Sequence, residues 1–98
     1  MDGYNNVKEQ LFYETLHAYR KYMDIADIYD EWSVQCQISH ARFSALYCVI
    51  ESVPGLEDEY QVFKSDVLTV LGKTGAELKN SDIEALSDAI YKVLEDRR

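Results

Sequence analysis

The sequence predicts an all-α protein, a compact four-helix bundle, and three observations carry that prediction. No Gly or Pro interrupts the fifty residues between Gly3 and Pro54, so the two strongest helix breakers are missing from half of the chain. Apolar residues recur through that stretch in alternating steps of four and three: Leu11, Thr15, Ala18, Tyr22, Ile25, Tyr29, Trp32, Cys36, Ser39, Phe43, Leu46, Ile50 and Val53, with only Thr15 and Ser39 polar. The breakers that do occur, Pro54-Gly55 and later Gly72 and Gly75, punctuate helical faces, and no segment alternates with the period of two that marks a half-buried strand.

Within the first half, a second stripe of Phe12, Leu16, Tyr19, Met23 and Ala26 runs beside the seam and then turns polar at Asp30, Ser33 and Gln37. The apolar face widens again after Ala41 into "FSALYCVI", apolar nearly all round, as a helix at the centre of a bundle would be. Two broad-faced helices therefore flank a polar waist at 27–40. A single helix from Leu11 to Val53 would be about 64 Å long, whereas a compact chain of this size has a radius of gyration of about 13 Å. A break at the waist gives helices at 5–30 and 33–52, with Asp27, Asp30 and Ser33 each acceptable as the N-cap of the second. The uninterrupted heptad phase supports the alternative: three helices, one of them very long and N-terminal, pairing as a dimer.

The second half is punctuated more clearly. "VPGLEDE" combines a turn with acids that complement the dipole of a helix N-terminus, and Leu56, Tyr60, Phe63, Val67, Val70 and Leu71 mark one face of a helix over 56–71. "GKTGAELKN" reads as a loop. Ser81 to Glu84 has the form of a capping box, opening a last helix over 81–96 with Ile83, Leu86, Ile90, Val93 and Leu94 inward.

The chain has 98 residues, 47% of them hydrophobic, enough for one domain with one core. Its formal net charge is −8, which repels phosphate backbones and anionic lipid and disfavours direct binding to nucleic acid or a membrane surface. The same field attracts a basic partner, including a protein whose own groove is built for nucleic acid. The start "MDGYNNVKEQ" lacks a basic segment followed by an apolar one, and the longest apolar run, "ALYCVI", is too short to span a bilayer, so a cytoplasmic protein is expected. Cys36 and Cys48, on one helix, would stand about 18 Å apart, too far for a disulfide.

Three spacings that could carry chemistry are incomplete. Gly72-Lys73-Thr74 ends like a phosphate-binding loop, but Val67 stands where the motif needs its first Gly. Glu14 and His17 have the spacing used by di-metal bundles, yet the nearest second copy, Gln37 to His40, has an amide for the carboxylate. Cys36 and His40 share a helical face without a third or fourth metal ligand at a recognisable spacing. Nor does the sequence place Cys48 or a serine near either His as nucleophilic catalysis would need. No catalytic, cofactor-binding or metal-binding residues are expected, and the protein is read as a non-enzyme.

The remaining signal is "YMDIADIYDEW", residues 22–32. On a continuous helix its aromatics extend the seam as packing, while Asp24, Asp27, Asp30 and Glu31 form an outer band that no nearby base neutralises. Tyr4, Tyr13 and Tyr91 fall off the main stripes and, with Trp32, are candidate contact residues. These features predict a small acidic interaction module, an inhibitor, immunity or regulatory protein, docking on a larger basic partner through Asp24, Asp27, Asp30, Glu31, Tyr29 and Trp32. The alternative is a self-associating structural protein, a homodimer whose acids serve solubility.

Overall fold

Caps and breakers set the helix ends. The computed structural model describes residues 3–74, 78 and 82–97, with side chains from Val7 onward, and among them are four helices: α1 (Gly3–Ile28), α2 (Val34–Ser52), α3 (Leu56–Leu71) and α4 (Ile83–Asp96). Extended backbone at Ser33 opens α2, and its Oγ accepts the Cys36 N–H at 3.2 Å. Val53, which precedes Pro54, is held at φ −105 and ψ 120, because the proline ring disfavours helical geometry in the residue before it. Gly55 (φ 81) and Gly72 (φ 68) then bracket α3 in the left-handed region, where a Cβ is unfavourable. Asp82 caps α4 by accepting the Glu84 N–H at 3.3 Å. The expected capping box began at Ser81, which lies outside the described residues, as does most of the loop expected before it.

Ring and polar contacts give each helix its direction. On α1 and α2, Tyr19 meets Phe43 while Tyr22 meets His40, so the numbers run oppositely and the pair is an antiparallel hairpin. Between α1 and α3 they run together: Lys8 pairs with Glu59, Phe12 packs on Phe63 and Lys64 lies over the Tyr19 ring. Tyr13 against Tyr91 and His17 against Ser87 set α4 antiparallel to α1. The result is an up-down-up-down bundle.

The core gathers at one end of the first hairpin. Phe12 and Leu16 from α1 and Ile50 from α2 close with Tyr60 and Phe63 of α3, Leu86 and Ile90 of α4, and Leu78 from the connection between the last two helices. Beyond Tyr19 and before Tyr47, α1 and α2 contribute nothing to this cluster and pack on one another. The distal half of the hairpin therefore projects past α3 and α4, and the molecule measures 42 × 30 × 19 Å. Among the described residues, no helix is long and apolar enough to cross a membrane.

The four-helix reading holds, and the alternative of one long N-terminal helix does not: α1 stops at Ile28, because Asp30 and Ser33 offer side-chain acceptors to backbone N–H groups and compete with helix continuation. Three expectations about particular residues are corrected. Tyr29 and Trp32 consequently leave the seam, although Cys36, Ser39 and Ile50 beyond the break are buried on it. The run "FSALYCVI" is not central, since Ala45, Cys48 and Val49 are exposed on an outer helix of the bundle. Val70 and Ile83, expected inward, are exposed because they sit at helix ends that overrun the core.

Candidate functional site

At the hairpin tip, large exposed apolar side chains, acids and a backbone fixed by hydrogen bonds coincide. Trp32 is 76% exposed, Ile28 and Val34 each 68%, Ile38 63% and Tyr29 44%. Cys36 and Ser39, on the opposite face of α2 from Val34 and Ile38, are buried against α1. The tip's outward face thus carries large apolar side chains as well as the inward one.

Local hydrogen bonds hold this turn. The Tyr29 N–H donates to the Ile25 carbonyl at 2.8 Å and the Ser33 N–H to the Asp30 carbonyl at 2.9 Å. Trp32 is held at both of its backbone groups: its N–H donates to Asp30 Oδ1 at 3.1 Å, and its carbonyl accepts Gln37 Nε2 at 3.2 Å. Its indole is left to solvent while its main chain is fixed, which lowers the ordering cost when a partner covers it.

The sequence-predicted acids surround these side chains, but not as one helical band. Asp24 and Asp27 are on the last turns of α1, half-buried and exposed respectively, while Asp30 and Glu31 are exposed in the turn itself. Repulsion between helical neighbours three and four apart therefore concerns only the first two. Between Tyr22 and Ala41 there is no Lys or Arg. Of the other contact candidates, Tyr91 is exposed, Tyr13 is half-buried against α4, and the Tyr4 side chain lies outside the described residues.

A second constellation joins residues that sequence spacing could not connect. Ser87 Oγ lies 3.1 Å from both the Tyr13 hydroxyl and His17 Nε2, and the Tyr13 and His17 rings are 4.5 Å apart. Burial, aided by the Arg20 guanidinium and opposed by Glu14, holds His17 below the ordinary imidazole range, so it is largely neutral at pH 7. A neutral imidazole can accept the Ser87 proton, as a general base would. However, the adjoining cleft is walled by Tyr13, Glu14, His17, Arg20, Lys21 and Arg42, and Ser87 is not part of that wall. The triplet ties α1 to α4.

The incomplete spacings resolve into ordinary packing. Val67 is fully buried in α3 and Gly72 is that helix's C-cap, so Gly72-Lys73-Thr74 follows a helix end and forms no phosphate cradle. Glu14 turns to Arg42 at 3.7 Å while His17 turns to Ser87. Cys36 is buried, whereas His40 is exposed with its ring edge-on to Tyr22 at 5.1 Å. Among the described residues, no three His, Cys, Asp or Glu side chains converge as metal ligands would. Comparisons with protein-family models, curated proteins and solved structures find no match to this chain.

Proposed function

We propose that this protein is a small acidic interaction module, an inhibitor, immunity or regulatory protein rather than an enzyme, that docks through the α1–α2 tip on a larger basic protein. A partner whose own groove receives nucleic acid would offer the complementary charge. The observation that carries this reading is Trp32, with its backbone fixed at both N–H and carbonyl and its side chain 76% exposed. Tryptophan at the centre of an interface is the residue most enriched among those that dominate binding energy. Ile28, Tyr29, Val34 and Ile38 would supply the surrounding apolar contact, and Asp24, Asp27, Asp30 and Glu31 the charged rim.

Charge argues for a foreign partner over a second copy. Tip-to-tip association would set the acids of one copy against those of the other, whereas a basic surface gains from the same field.

The test is capture from native-host extract by the immobilised chain across a salt series. A partner bound through the tip is lost with Trp32→Ala, which should weaken binding by about 2 kcal/mol or more. The triple variant Asp27→Asn, Asp30→Asn, Glu31→Gln should weaken it at low salt and flatten its salt dependence. Asn at position 30 keeps the acceptor that holds the turn. Equal retention of the partner by both variants would refute docking at the tip.

A further inference from the structure

Helix α2 carries two apolar seams. Cys36, Ser39 and Ile50 are buried against the bundle. A second series, Val34, Ile38, Ala41, Ala45, Cys48 and Ser52, repeats the steps of four and three on the opposite face, where all six residues are exposed. Val49, 50% exposed, widens this stripe beside Cys48. Ser52 turns its hydroxyl back onto the Val49 carbonyl at 2.7 Å, which satisfies it within the helix. In a helix of 19 residues, Arg42 and Glu51 are the charged pair, and they cancel. A helix that is apolar all round is a helix packed on every side, and the bundle packs one side of α2.

Two further features indicate what covers the other side. Where Leu46 follows Ala45, the stripe adjoins a depression of about 420 Å³ lined by Val7, Leu11 and Leu46 with Gln10 and Glu14, a hole for one large apolar side chain. Exposed carboxylates stand at both ends of the stripe, Asp30 and Glu31 before Val34 and Glu51 after Val49. These ends decide between occupants. A second copy laid parallel would set Asp30 and Glu31 against their own counterparts, and one laid antiparallel would set them against the other copy's Glu51. A basic helix meets attraction at the same places. The stripe runs about 27 Å, five turns of helix, and its middle is built of Ala41, Ala45 and Cys48, small enough for another helix to approach closely.

We propose that the stripe receives an amphipathic helix of the basic partner, laid antiparallel to α2, with its basic residues gathered at its C-terminal end beside Asp30 and Glu31. One large apolar side chain of that helix fills the depression at Leu46. The inference rests on the docking reading above and extends the contact from the tip along the whole of α2. Antiparallel packing opposes the two helix dipoles, and the C-terminal turn of a helix is where basic residues are favoured.

The probe is a synthetic peptide of leucine, alanine and lysine with apolar residues at helical spacing and its lysines in the last turns, titrated into the full chain. The control has the same composition in strict apolar and polar alternation. The helical peptide should give saturable amide NMR shifts along Val34 to Ser52 and at Val7 and Leu11, and should slow alkylation of the exposed Cys48 by iodoacetamide. Ala45→Glu and Val49→Asp, both at exposed positions, should each weaken binding about tenfold or more with helical circular dichroism unchanged. A nitroxide on the peptide's C-terminus should broaden the amides of Trp32 to Gln35, and broadening at Val49 to Ser52 in their place would overturn the proposed orientation. Binding that survives Ala45→Glu and Val49→Asp but is lost in Trp32→Ala would overturn the inference and leave docking at the tip standing. Loss in Ala45→Glu and Val49→Asp with Trp32→Ala unaffected would keep the helix on the stripe and remove Trp32 from the contact. Equal binding of the alternating peptide would overturn the inference, as would sedimentation of the free chain as a dimer that Ala45→Glu dissociates, since a second copy would then cover the stripe.

Discussion

Trp32 and Phe63 are both large rings, but they belong to different parts of the free-energy balance. Phe63 is fully buried and touches Phe12 and Tyr60, whereas Trp32 stands in solvent. Phe63→Ala should cost about 3–5 kcal/mol in urea unfolding, and Trp32→Ala no more than about 0.5 kcal/mol. A Trp32→Ala cost near that of Phe63→Ala would mean that the indole packs inside the molecule. His17 makes a separate prediction. Its folded pKa lies below 6.5, so as pH falls the unfolded chain takes up the proton first; its contribution is full above about pH 6.5 and declines below that. His17→Gln should therefore lose less of its urea midpoint than the wild type between about pH 7.5 and pH 5.5, a window above most carboxylate titration. The bond from His17 to Ser87 was not legible in the sequence, because it spans 70 positions and only the fold brings the two together. Tyr29 and Trp32, although also named as contact residues, were assigned to the seam for a related reason: heptad spacing is blind to a turn that happens to preserve its phase.

At the scale of elements, the punctuation of the second half was legible, because Pro54, Gly55 and Gly72 act through backbone geometry that needs no tertiary context. The break in the first half was harder to place, since Asp27, Asp30 and Ser33 could each have capped α2. The structure divides the labour: Ser33 caps the helix by accepting the Cys36 N–H, and Asp30 accepts the N–H of Trp32 within the turn. Ser33→Ala should cost about 1 kcal/mol in thermal or urea unfolding. It should also speed hydrogen exchange at Cys36 and Gln37, while exchange in α3 and α4 follows only the global loss. Uniform acceleration across all four helices would show that the hairpin tip has no local stability of its own. The projection of this hairpin follows from length, since α1 has 26 residues against 16 in α3 and 14 in α4. The shorter helices cover only the proximal part of the longer ones.

For the whole molecule, the bundle class could be read from periodicity and breakers, but the arrangement of charge could not. Net charge averages over a molecule in which the acids Asp24, Asp27, Asp30 and Glu31 gather at one tip while Arg20, Lys21 and Arg42 meet in one cleft. Which residues meet depends on helix direction, and direction is set by long-range ring packing such as Phe12 on Phe63. The central claim is that the tip is a docking surface built around an exposed, pre-positioned tryptophan. Trp32 is the single tryptophan of the chain, so incorporation of 5-fluorotryptophan gives one fluorine resonance that reports on it alone. Docking at the tip predicts a large shift on exchanging H₂O for D₂O in the free chain, and loss of that solvent effect when the captured partner is added in stoichiometric amount. A resonance insensitive to solvent in the free chain, or one equally sensitive with the partner bound, would contradict it.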